Sequence, residues 1–133
     1  MPISEIIRID KRFRIVIPKS IREAMGIVPE MFLLISSDEN EIRIVPFADP
    51  DAKTINMTIT MGDFPGSLAK IADTLANLKI DLLLGESRIM QRKKIAQWFV
   101  IAEISNCKKD LETIKRILIE NGGAEDVEFS KKM

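Results

Sequence analysis

Residues 8–22 read Arg8-Ile9-Asp10-Lys11-Arg12-Phe13-Arg14-Ile15-Val16-Ile17-Pro18-Lys19-Ser20-Ile21-Arg22. Two runs rich in β-branched residues, 5–9 and 13–17, flank a charged turn, which predicts a β-hairpin. Arg12 and Arg14 share one face of the second run, while Phe13, Ile15 and Ile17 share the other. Pro18 can open a helix because its missing N–H is not needed there; this predicts a helix over 19–25, closed by Gly26 in a left-handed cap. The stretch holds six bases against one acid, Asp10, although the 133-residue chain carries 20 of each sign and is formally neutral. Concentrated positive charge on strand-like sequence suits a polyanion, and double-stranded DNA is the expected partner. A solvated face that balances the acids behind it is the other reading of the same residues.

Those acids follow at Glu23, Glu30, Asp38, Glu39 and Glu41. Runs 31–35 and 42–45 form a second hairpin across the polar turn 36–41. A unit this short, without a disulfide or metal, can hardly bury a core alone. Its strands are also too apolar to leave their edges in water. Obligate homodimerisation is the expected remedy, and it would place two basic faces together for successive half-sites on a duplex.

Pro46-Phe47-Ala48-Asp49-Pro50-Asp51-Ala52-Lys53 suits a short linker. It divides the chain into an expected first domain at 1–47 and a second at 54–133. In the second, Ile55, Met57, Ile59 and Met61 alternate with Asn56, Thr58, Thr60 and Gly62, the period of a strand. Gly62-Asp63-Phe64-Pro65-Gly66 is a turn that opens a helix. Leu68, Ile71, Ala72, Leu75 and Leu78 then form the apolar stripe of that helix. Strands follow at about 80–91 and 95–105, joined by the polar turn Gln91-Arg92-Lys93-Lys94. A helix over 110–121, ended by Gly122-Gly123, precedes a last strand at 124–129. The order βαββαβ is the ferredoxin-like pattern, so the whole chain is expected to be α+β.

Composition narrows the chemistry. There is no histidine, which removes Ser-His and Cys-His pairs and most zinc sites. No stretch resembles a phosphate loop or dinucleotide fingerprint, so an enzyme is not expected, nor a cofactor or metal. Cys107 stands alone, excluding an intrachain disulfide. No apolar run approaches the roughly 20 residues of a bilayer span. The start, Met-Pro-Ile-Ser-Glu, lacks the regions of a signal peptide, so a cytoplasmic location and no membrane partner are expected.

Residues 8–46 resemble the swapped-hairpin DNA-binding domain of the AbrB/SpoVT family. The likeness rests on D-x-x-x-R-I-V-I-P-K-x-I-R-x-x-x-G-I, from Asp10 to Ile27. It implies two chains interleaving their hairpins into one β-barrel, with DNA met by the first loop and the short helix. By position, Arg14 and Arg22 match DNA-contacting arginines of the family, and Arg8 and Lys11 lie in the neighbouring strand and loop. Phe13 stands where the family usually has glycine; a positive φ there carries a strain cost. Residues 55–130 are similar to an ACT domain, on Gly62 to Ile71 and on Leu78-Lys79-Ile80-Asp81-Leu82. Family members often bind amino acids near the first loop and helix start. Together the two likenesses imply a ligand-responsive transcription regulator.

The expected DNA-binding residues are Arg8, Lys11, Arg12, Arg14, Lys19 and Arg22. Arg12, Arg14 and Arg22 are the expected direct contacts; the others meet phosphates. The expected ligand site comprises Asp63, Phe64, Pro65, Gly66, Ser67, Leu68 and Asp81. Backbone donors at the helix start would take a carboxylate, and Asp63 or Asp81 an ammonium. A plain turn in which Asp63 caps the helix is the other reading. Trp98 and Phe99 face either a partner chain or the core. Two rival classes use the same parts: a regulatory subunit of an amino-acid biosynthetic enzyme, and an antitoxin of the swapped-hairpin fold.

Overall fold

Pro18, at φ −57° and ψ 147°, caps the start of α1 (Lys19–Met25), and Gly26 ends it in the left-handed region at φ 69°. The Ile27 N–H reaches back to Arg22 O at 2.9 Å, closing the helix end as a left-handed cap does. These contacts belong to a computed structural model that describes residues 2–130. Residue 1 of the expected first domain and residues 131–133 of the second lie outside the described residues. The described chain is α+β, with three helices and six strands in two antiparallel sheets. It divides into two compact units, Met1–Pro50 and Asp51–Met133.

In the first unit, β1 (Phe32–Ser37) pairs with β2 (Ile42–Ala48). Asp38 organises their turn by accepting the N–H groups of Asn40 and Glu41. β2 continues through Pro46 and Phe47, residues read from sequence as linker. Proline cannot donate to a ladder, and Pro46 sits beside the register irregularity between Phe32 and Leu33. The expected hairpin at 5–9 and 13–17 is not formed within the chain. Among the described residues, only two backbone hydrogen bonds join these arms, Asp10 N–H to Arg14 O and Phe13 N–H to Asp10 O. Beyond that turn the arms exchange no ladder bond, so their backbone groups are left for water or a second copy. No described residue of 2–50 is buried. Ile6 is fully exposed, and Ile3, Ile7, Ile9, Ile15, Val16, Met25 and Val28 are also open to solvent.

The second unit runs β3 (Thr54–Gly62), α2 (Ser67–Asn77), β4 (Asp81–Gln91), β5 (Ile95–Glu103), α3 (Leu111–Glu120) and β6 (Asp126–Ser130). Its sheet has the order β4-β5-β3-β6, every neighbour antiparallel. Ile55, Met57, Ile59 and Met61 of β3 are buried with Trp98, Val100 and Ala102 of β5. Ile71 and Leu75 of α2, and Ile114 and Leu118 of α3, complete this core. Each of the buried Ile, Leu, Met and Val side chains contributes roughly 1.5–3 kcal/mol. Asp110 caps α3, accepting the Thr113 N–H at 2.8 Å; the Thr113 side chain first, and then this N–H, hold its carboxyl below the usual range. Trp98 therefore faces the core, while Phe99 is half-buried on the opposite face, with Arg88 5.6 Å from its ring centre.

Candidate functional site

The loop at 10–14 is built around one carboxylate. Asp10 Oδ1 accepts the N–H of Arg12 at 2.8 Å and of Arg14 at 2.9 Å, and Oδ2 accepts Arg14 Nε at 2.9 Å. Asp10 N–H donates to Arg14 O at 3.0 Å. The backbone N–H of Arg14, above all, and that of Arg12, with the Arg14 guanidinium, hold the Asp10 carboxyl below its usual value. The single acid of the basic stretch is thus internal to the loop. Arg14 spends Nε on this brace. Arg22 likewise donates Nη1 to Ile17 O at 2.6 Å, tying α1 to the arm before it. Among the described residues, the side chains of Arg8, Lys11 and Arg12 form no ion pair. Lys19 faces Glu23 at 3.9 Å, a weak exposed pair.

Four of the six expected DNA-binding residues, Arg8, Lys11, Arg12 and Arg14, therefore cluster on the arms and loop. Lys19 and Arg22 belong to α1. Arg8, Asp10 and Arg14 line one hollow of about 550 Å³ with Ile7, Ile15 and Val16. Arg14 and Arg22, read as direct contacts, are each also held within the chain, Arg14 Nε by the Asp10 carboxylate and Arg22 Nη1 by Ile17 O. The reading of Phe13 needs a correction. It does not share the face of Ile15 and Ile17. It stands at the turn with φ 62° and 86% of its surface exposed. Ile15 and Ile17 instead line an apolar hollow of about 290 Å³ with Pro18, Ile21 and Ile44.

A separate hollow of about 230 Å³ lies in the second unit. Asp63, Phe64, Ser67 and Leu68 line it, joined by Ser87, Arg88 and Ile89 of β4. Pro65 and Gly66 shape the turn without lining it. The β4 residues were missed from sequence, since only strand pairing shows that β4 passes the turn. Asp81 lies elsewhere. It pairs with Glu103, which also pairs with Thr54, so it occupies the far end of the sheet from Gly62. That separation is roughly 25 Å at about 3.3 Å per residue. Within one chain Asp81 and the turn do not form one site.

Asp63 does not cap α2. Its Oδ2 accepts the Lys93 N–H at 2.6 Å, and its own N–H donates to Lys94 O at 3.2 Å, locking the two turns together. α2 begins at Gly66 (φ 91°) without a side-chain cap. The Ser67 hydroxyl, on the wall of the hollow, is buried and has no partner. An uncapped helix start and a buried hydroxyl together suit a small anion, while the Arg88 guanidinium lies over Phe99 on the other face of the sheet. No helix is long and apolar enough to cross a membrane, and no metal-binding group of His, Cys, Asp and Glu occurs among the described residues. In comparison with known proteins, no family model and no curated sequence matches the chain.

Proposed function

We propose that the protein is a homodimeric, DNA-binding transcription regulator whose second unit senses a small carboxylate such as an amino acid. The observation that carries this reading is the first unit: a braced basic loop on a unit with no buried residue among those described. Its apolar arms need a second copy, and interleaved arms would complete a swapped-hairpin barrel of the AbrB type. Two copies then present Lys11 and Arg12 twice, as successive half-sites on duplex DNA require. Lys11→Ala/Arg12→Ala leaves the Asp10 brace intact. Fluorescence anisotropy on a duplex selected from a random pool should show its affinity falling and its salt slope shrinking by roughly 0.9 per lost phosphate contact. Wild-type affinity and slope in this variant would refute the DNA reading.

The βαββαβ unit fits an ACT-like effector module. Its hollow is smaller than the roughly 300–1,000 Å³ of drug-sized sites, a scale that suits an amino acid. The α2 start and Ser67 would hold the carboxylate. The ammonium would fall to Asp63 or to Asp81 of a second copy. Effector binding would act by favouring one pairing of the modules over another. An effector at roughly 100 times its Kd should add about 2.7 kcal/mol to stability. A melting screen against the standard amino acids should find one that raises Tm in wild type and less in Ser67→Ala; a flat screen overturns the sensing role.

A further inference from the structure

Phe13 is a large apolar side chain held where it is most costly. Its φ is 62°, a region non-glycine residues avoid, and 86% of its surface meets solvent. The turn asks only for an N–H at this position, donated to Asp10 O at 3.1 Å. Glycine or asparagine would supply that at lower cost. Nothing among the described residues covers the ring, so neither the strain nor the exposure is offset inside the chain. Such an outlier is evidence of a contact outside it. The neighbours say with what: Lys11, Arg12 and Arg14 flank Phe13, and Asp10 is consumed by the brace.

We propose that Phe13 is the sequence-reading tip of the basic loop, its ring packing on a base of duplex DNA while Lys11 and Arg12 hold flanking phosphates. This rests on the DNA reading above. Aromatic and apolar side chains contact bases by covering thymine methyls or by wedging into a base step. One ring suffices for either. An anionic membrane, the other polyanion a basic loop meets, needs a broader apolar face than one turn residue offers once a second copy covers the exposed arms.

Phe13→Gly tests this, because glycine accepts the positive φ and removes only the ring. Tm should stay unchanged or rise by up to about 3 °C. The dimer should persist in analytical ultracentrifugation. Affinity for a wild-type-selected duplex should fall by about 10- to 100-fold, with the salt slope unchanged and affinity for a scrambled duplex barely altered. Phe13→Tyr should restore most of the preference. Four results would overturn the proposal: undiminished preference for the selected duplex, a large fall in Tm, loss of the dimer, or a loss confined to single-stranded DNA or anionic phosphatidylserine vesicles. If wild type itself binds no duplex, the DNA reading fails with it; if only the Phe13→Gly comparison is flat, that reading stands.

Discussion

Asp10 shows how one residue fixes a surface. It supplies two oxygens to three donors and converts a string of bases into a shaped loop. Because its folded-state pKa lies below the ordinary 3.8, the unfolded chain takes up the proton first as pH falls. The stabilisation is therefore present above pH 3.8 and lost as pH drops through the lower folded value. NMR titration should show the Arg12 and Arg14 amide shifts moving together only below pH 3.8, and Asp10→Asn should abolish that movement. A loop titrating nearer neutrality would contradict the brace. The motif around Arg14 was legible in sequence. That Arg14 also braces the Asp10 carboxylate and Arg22 the Ile17 carbonyl was not, since both hydrogen bonds depend on where the chain turns.

β4 is the element on which the second unit's exposure concentrates. It is an edge strand carrying Leu82, Leu84, Ile89 and Met90 in the open, with register irregularities at Leu82/Leu84 and Ile89/Gln91 that disrupt the ladder. Its inner anchor is Gly85, where an added Cβ would lie 2.9 Å from Trp98 Nε1. Gly85→Val should push the chain's one tryptophan from its pocket, shifting its emission to longer wavelength and costing about 1–3 kcal/mol in thermal unfolding. Unchanged fluorescence would show that β4 gives way instead. The alternation of β3 and the stripe of α2 were readable because one face of each is buried against the same core. β4 offers no such pattern, and its part in the hollow beside Ser67 follows from pairing with β5 alone.

At the scale of the whole molecule, the two units differ in self-sufficiency. The second encloses a core of buried side chains from two helices and a four-stranded sheet. The first leaves its apolar residues around an open hollow walled by Ile15, Ile17, Ile21 and Ile44. A dimer that closes this hollow makes stability depend on concentration. Sedimentation should find wild type dimeric or larger at micromolar concentration, with Tm rising as protein is added. Ile15→Asp should break the association while leaving the second unit folded by circular dichroism. A wild-type monomer with residues 2–50 cooperatively folded would remove the basis for paired loops on DNA.

Local interactions were settled by the sequence itself. Proline and glycine bounded α1, period-two alternation marked β3, helical stripes marked α2 and α3, and charge segregation marked the basic loop. Each depends on neighbours in the chain or on a single buried face, so order along the chain suffices to reveal it. Tertiary structure decided what order along the chain cannot encode. It carried Asp81 to the far end of the sheet, turned Asp63 toward Lys93, brought β4 to the hollow that Ser67 lines and left the 5–9 and 13–17 arms without strand partners. The physical reason is that strand pairing and turn direction join residues through space, and a hydrogen bond is indifferent to how many residues separate its ends.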